Sequence, residues 1–239
     1  MALEMFVLRR RELPKTDDRY SVDPVIGEIP VDFWLEVKSH DETENITHDT
    51  SPQDVSMSDS LIDFVAQRTE PRTDKYDLGY FHGFYDKLFM PRRYTTKSLL
   101  EIGVRYGSSI TLWRDYFVNA HITGLDIDRN PFIDAIDRIT LKYTDAYTKE
   151  CVQSLGTFDI VIDDGPHTYE SMVFFLKEYW KLVNPGGLLV LEDIIDTSWT
   201  ESLAALIPGC TVYAMAGWQR TPELYNQWRS GLDVIVARK

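Results

Sequence analysis

The sequence predicts an α/β protein: a doubly wound, seven-stranded, mostly parallel sheet preceded by an N-terminal extension. Three observations carry this. Leu99 to Gly107, LLEIGVRYG, reads as a buried strand ending in a glycine turn. From there on, apolar runs alternate with stretches of helical spacing, with no internal repeat. Acidic residues then stand at the ends of several apolar runs, at Asp126, Asp163-Asp164 and Glu192-Asp193, where an open parallel sheet binds its ligands.

Composition sets the outer limits. A chain of 239 residues, 44% apolar and 13% aromatic, supplies the core of one α/β domain plus an extension. The formal charge is −13, and the first seventy residues hold sixteen acids against seven bases, so neither nucleic acid nor an anionic membrane is an expected partner. No run approaches membrane-spanning length, and the segment before the basic cluster Arg9–Arg11 is too short for a signal-peptide core. Cys151 and Cys210 are isolated and lack metal-binding spacing. A cytoplasmic protein is expected, while a small-molecule or glycan acceptor and a homo-oligomer are neither indicated nor excluded by this composition.

Along the chain, residues 1–57 form the acidic extension and residues 58–239 the domain. Within the extension, Val31–Val37 reads as a strand or a short helix, and Ser39–Ser58 as a polar connector or loop. A helix is expected near Asp59, capped by Ser58 or Ser60, with Leu61, Ile62, Phe64 and Val65 on one face. Strands follow at Ser98–Ile102, His121–Asp126, Ile139–Tyr143, Phe158–Ile162, Leu188–Leu191, Thr211–Met215 and Leu232–Ala237. Helices are expected at Ser108–Phe117 and Ser171–Val183, the latter ended by Asn184-Pro185-Gly186-Gly187, with only short helical matter at Gly217–Ser230. The final strand pair is hairpin-like, so one antiparallel strand is expected at a sheet edge.

The first turn has the pattern E-x-G-x-x-x-G (Glu101, Gly103, Gly107), not the G-x-G-x-x-G that seats a pyrophosphate on a helix N-terminus. Glu101 would repel a diphosphate but attract the ammonium of a methionine moiety, directly or through water. Asp126, twenty-five residues on, ends the second strand, where a carboxylate can accept both hydroxyls of a ribose. S-adenosylmethionine therefore fits better than a dinucleotide. The two acid pairs should face one crevice. Crowded carboxylates repel unless something positive sits among them, and three hard oxygen ligands from two neighbouring strand ends suit Mg²⁺ or Mn²⁺. His167, three residues past Asp164, lies within reach of a hydroxyl held by such an ion. A single acid pair at a strand end would instead be ordinary capping or solvation, and His167 alone an ordinary loop residue.

The order LLEIGVRYGSSITLW, ITGLDI, FDIVIDDGPHTYE and GGLLVLEDI, preceded by Arg72-Thr73-Asp74-Lys75 with His82 and Tyr85, resembles the metal-dependent sugar O-methyltransferases of macrolide and related antibiotic biosynthesis. These belong to the class I S-adenosylmethionine-dependent superfamily. The resemblance spans roughly residues 72–196 and implies the Rossmann-like methyltransferase fold. It implies cofactor contacts at Glu101, Gly103, Gly107, Ser109, Asp126, Asp145 at the end of the strand Leu141–Thr144, and Asp163. It further implies metal ligands Asp164, Glu192 and Asp193, and His167 as general base. Arg105-Tyr106 is bulkier than the small-residue turn of that family. Tyr213, Trp218, Tyr225 and Trp228 are candidates for an apolar wall against the acceptor or for core packing. Two other readings stay open: a catechol or phenolic O-methyltransferase using the same metal, and a non-catalytic S-adenosylmethionine-binding module. The second has no need of His167 or the acid pairs.

Overall fold

The computed structural model describes residues 6–7, 59–68, 73–129, 136–215 and 232–239. The expected element at Val31–Val37, the connector Ser39–Ser58, the Arg9–Arg11 cluster and the Gly217–Ser230 stretch lie outside them, as do Trp218, Tyr225 and Trp228 of the aromatic wall.

A short helical layer comes first. Helix α1 (Leu61–Ala66) is capped by Ser60, whose Oγ accepts the Asp63 N–H at 3.4 Å. Thr73 caps α2 (Asp74–Asp77) by accepting the Lys75 N–H. A π-helical turn at Phe81–Tyr85 runs into α3 (Asp86–Phe89). The strands are β1 (Phe6–Val7), β2 (Ser98–Ile102), β3 (His121–Asp126), β4 (Ile139–Tyr143), β5 (Phe158–Asp163), β6 (Val183–Ile194), β7 (Thr211–Tyr213) and β8 (Asp233–Arg238). Between them lie α4 (Ser108–Tyr116), α5 (Lys149–Gln153), α6 (Tyr169–Glu178) and α7 (Thr200–Ala204). None of the described helices is long and apolar enough to cross a membrane.

All seven expected strands join one sheet, extended at its edge by β1, in the order β1-β7-β8-β6-β5-β2-β3-β4. From β2 the chain winds outward through β3 and β4. It then returns to β5 on the other side of β2, and all these pairs are parallel. The winding therefore reverses between β2 and β5, and the crevice this opens lies at their carboxyl ends. Strand side chains alternate between two cores. Leu99, Ile160, Ile162, Leu188, Val190, Val234 and Val236 face the N-terminal layer and α4. Leu100, Val161, Leu189, Leu191, Ile235 and Ala237 face α5, α6 and α7. This period of two on every central strand buries both faces of the sheet.

Three expectations need correction. The antiparallel strand is not at an edge: β8 lies between β6 and β7 and runs against both. The second long helix is shorter than Ser171–Val183. It starts at Tyr169 because Thr168 and Ser171 cap each other, each side chain accepting the other's backbone N–H at 3.2 Å. It then tightens into a 3₁₀ turn at Tyr179–Leu182. Finally, Asn184-Pro185-Gly186-Gly187 is not a turn ahead of the strand but part of β6, which begins at Val183 opposite Phe158.

Candidate active site

The donor side of the crevice is built from the end of β2. Gly103 has φ +86, and a Cβ there would lie 1.9 Å from the backbone oxygen of Asp164, so the β2 turn and the β5 loop meet backbone to backbone. Gly107, at φ +83, starts α4. Asp126 stands at the tip of β3, where the sequence places it. Its two oxygens accept the backbone N–H groups of Arg105 at 2.7 Å and Asp128 at 2.8 Å, which fix the carboxylate's orientation. Asp145 lies past β4, exposed, and accepts the Tyr147 N–H in its own turn at 2.8 Å.

Glu101 and Ser109 are placed differently from an open ligand set. Glu101 is 0% exposed. Its carboxylate accepts from Ser109 Oγ at 3.0 Å and Trp113 Nε1 at 3.2 Å, so its charge reaches the crevice only through neighbours. Burial pushes it up to about 7, against the opposing pull of Lys75, Ser109 and Trp113. Asp163 is also buried and accepts the Tyr147 hydroxyl at 2.5 Å, and burial raises it to about 7. That hydroxyl occupies the space a Cβ on Gly165 would take, 1.9 Å away, which makes Asp163, Tyr147 and Gly165 one packed unit under the β5 loop.

The acid pairs converge, as their strand ends require, and the positive charge among them is Lys75. This side chain, 1% exposed, donates to Asp164 Oδ2 at 2.5 Å and to Glu192 Oε2, and lies 3.8 Å from Glu101 Oε1. Burial alone would lower its pKa. The carboxylates of Asp164, Glu192 and Glu101 overcome that and hold it well above the usual lysine range, so the ammonium is charged. Two phenols complete the set: Tyr85 donates to Glu192 Oε1 and Tyr80 to Asp193 Oδ1. Both are buried among carboxylates, and their pKa values are raised well above the ordinary tyrosine range, so they stay protonated donors. Their spacing explains the π-turn. Residues five apart lie about 140° apart around an α-helix, but near one face where hydrogen bonds run from i to i+5.

His167 faces the same point from the β5 loop. Its Nε2 is 3.8 Å from Asp164 Oδ1 and 3.8 Å from Asp193 Oδ2. Among the described residues Asp164, His167 and Asp193 are brought together, each offering one ligand atom within 4.8 Å of the others, all half-buried. Two carboxylate oxygens with an open side suit a hard divalent cation. Glu192, expected as a third oxygen ligand, is not in that group: it is 1% exposed with both oxygens accepting, from Lys75 and Tyr85. His167 and Asp193 both sit at φ +54, a region non-glycine residues visit at a cost and in which functional sites concentrate such strain. Tyr213 packs against Phe84 with ring centroids 5.3 Å apart, beside the core of the N-terminal layer.

Lys75, Tyr80 and Tyr85 are the parts of the site that sequence reasoning gave no role. The signal for a cation was present, because clustered acids demand one, but it did not say which residue supplies it.

Comparison with known proteins adds the following. Residues 100–194 match the family described as methyltransferase domain. Demethylmacrocin O-methyltransferase of Streptomyces fradiae is 34% identical over 133 residues, 51% of this chain and 33% of that protein. The 8-demethyl-8-alpha-L-rhamnosyl tetracenomycin-C 2'-O-methyltransferase of Streptomyces olivaceus is 29% identical over 139 residues, 53% of this chain and 36% of that protein. Among solved structures, the MycE methyltransferase of the mycinamycin biosynthetic pathway, in complex with Mg and SAH, is 30% identical with a TM-score of 0.46. That match covers 60% of this chain and 36% of MycE. The chain thus spans about a third of the length of the curated relatives it matches.

Proposed function

We propose that this methyltransferase domain moves the methyl group of S-adenosylmethionine to a hydroxyl of a sugar or glycoside, assisted by Mg²⁺ or Mn²⁺, in the cytoplasm. The observation that carries the reading is the convergence of His167 Nε2 with Asp164 Oδ1 and Asp193 Oδ2, across Gly103 from the donor turn. The tetracenomycin relative, which by its name methylates the 2'-oxygen of a rhamnosyl compound, supports the acceptor class.

An alcohol is a weak nucleophile near neutral pH, so its proton must leave as the new bond forms. His167 takes that proton on Nε2. The oxygen then bonds to the methyl carbon, the carbon–sulfur bond breaks, and its electron pair stays on sulfur as a neutral thioether. The positive charge passes from the sulfonium to the imidazolium. Asp164 and Asp193 would hold the divalent ion, which when bound lowers the pKa of a coordinated hydroxyl. Asp126 accepts the ribose hydroxyls, and Glu101 sets the donor side through Ser109 and Lys75.

Calorimetry on the full chain tests the donor half. S-adenosylhomocysteine should bind and NAD should not. Asp126→Ala should weaken binding at least ten-fold, because hydrogen bonds to a charged acceptor contribute about 1.5 to 3 kcal/mol each. Turnover on a panel of rhamnose-type glycosides should need a divalent ion and stop with excess chelator. Tight NAD binding without a response to S-adenosylhomocysteine, or full turnover in EDTA, would overturn the reading.

A further inference from the structure

The loop after β5, which carries Asp164 and His167, is held from two sides. On one side is the β2 turn: the Asp164 N–H donates to the Ile102 carbonyl at 2.9 Å, and a Cβ on Gly103 would meet the Asp164 carbonyl. On the other is Tyr147, from the turn after β4. Its hydroxyl donates to Asp163 Oδ1 at 2.5 Å, and the same carboxylate takes a backbone hydrogen bond from Gly165. A Cβ on Gly165 would overlap that hydroxyl.

Tyr147 is itself anchored. Its N–H donates to Asp145 Oδ1 at 2.8 Å, and the Thr148 hydroxyl donates to the Asp145 carbonyl at 3.2 Å. The Ala146 carbonyl accepts the Tyr179 hydroxyl at 2.6 Å. The Tyr147 ring stands edge-on to Phe174 of α6, with centroids 6.2 Å apart. A fixed backbone and a packed ring therefore deliver the hydroxyl to the loop. That matters for His167, two residues past Gly165, whose φ of +54 is a conformation that persists only where the surroundings impose it.

We propose that Tyr147 is a positioning residue for methyl transfer: its hydroxyl braces the β5 loop at Asp163 and Gly165 and so holds His167 in line with the donor turn. The role rests on the methyl-transfer reading above. A reacting group displaced by about 1 Å can lose on the order of 10²-fold in rate. Loss of the brace is therefore felt in the transfer step, while the donor's own contacts at Asp126 and the β2 turn are left in place.

Tyr147→Phe removes one oxygen and keeps the ring on Phe174. With the rhamnose-type glycoside that the parent chain turns over fastest, its kcat should fall at least ten-fold. The KM for S-adenosylmethionine and the calorimetric affinity for S-adenosylhomocysteine should stay within about three-fold, a split that a merely structural role would not produce. With S-adenosylhomocysteine bound, hydrogen exchange at the amides of Asp164, Gly165, His167 and Thr168 should be at least ten-fold faster than in the parent, and unchanged at residues 99–102. Gly165→Ala, which pushes on the same contact from the loop, should also lose kcat and melt at a lower temperature. Combined with Tyr147→Phe it should melt above Gly165→Ala alone, because the obstructing oxygen is gone. Parent-like kcat or parent-like loop exchange in Tyr147→Phe, or a loss of S-adenosylhomocysteine affinity as large as the loss of kcat, would overturn the proposal. So would a double variant that melts below both single variants. If Tyr147→Phe fails to fold by circular dichroism, Gly165→Ala decides by the same kcat and exchange measurements. A parent chain that methylates no glycoside would sink the assigned reaction, and the exchange and melting comparisons would still decide whether Tyr147 braces the loop.

Discussion

At the scale of single residues, His167 and Asp193 bear a cost for the place they hold. Both adopt φ +54, where an L-residue's Cβ crowds its own backbone. Removing the imidazole should separate function from stability. His167→Ala is expected to lower kcat by about 10² or more, the usual contribution of a positioned general base, with S-adenosylhomocysteine affinity unchanged by calorimetry. His167→Gly should be equally inactive yet more stable than His167→Ala in urea denaturation, by about 1 kcal/mol, because glycine adopts that φ freely. Near-normal turnover by either variant would remove His167 from the role of base. Asp126, Asp164, Asp193 and His167 were legible in the sequence because a strand end fixes where its next residues point. Lys75 was not, because its partners Asp164 and Glu192 lie 89 and 117 residues further along the chain, and local pattern carries no information across such gaps. Glu101 was legible in position but not in exposure: the approach of α4, with Ser109 and Trp113, buries it.

At the scale of elements, the contact between the β2 turn and the β5 loop determines whether donor and acceptor sides meet. A side chain at Gly103 has no room, since its Cβ would stand 1.9 Å from the Asp164 carbonyl and φ is +86. Gly103→Ala should therefore lower the melting temperature and, in the fraction that folds, weaken both S-adenosylhomocysteine and Mn²⁺ binding. A loss confined to one ligand would mean that the two loops are set independently. The strands β2, β3 and β4 match their expected bounds because each is a short apolar run with a turn on either side. The start of β6 was hidden for the opposite reason. Asn184-Pro185-Gly186-Gly187 has the chemistry of a turn, yet long-range partners recruit it: the Gly186 N–H donates to the Lys239 carbonyl at 2.5 Å and the Lys239 N–H to the Gly187 carbonyl at 3.1 Å. Tertiary pairing overrides local preference there. The π-turn was equally unreadable, because its purpose is to aim Tyr80 and Tyr85 at two acids more than a hundred residues away.

At the scale of the whole molecule, buried acid makes stability depend on pH in an unusual direction. Burial raises Glu101 and Asp163 to about 7, above the 4.5 and 3.8 of free side chains, so the folded state holds protons that the unfolded state has released. Their contribution is complete below those free values and is lost as pH rises through about 7. The metal-free protein should thus melt at progressively lower temperature from mildly acidic to mildly alkaline conditions, and Glu101→Gln should flatten that decline in differential scanning calorimetry. An unchanged slope in Glu101→Gln would exclude Glu101 as a source. The doubly wound plan was legible in the alternation of strand and helix, whereas the place of β8 was not, since a strand's neighbours are chosen by the finished sheet. That placement governs the order of assembly. Residues 233–238 are made after β7 but stand between β7 and β6, so during synthesis β6 carries an unpaired edge and β7, with β1 beyond it, has no sheet to join. Contacts of such long sequence separation form late and slowly. A ribosome-bound chain stopped before Asp233 would therefore present the edge of the strand that bears Glu192 and Asp193 to its surroundings, and this is the stage at which a chaperone would be needed.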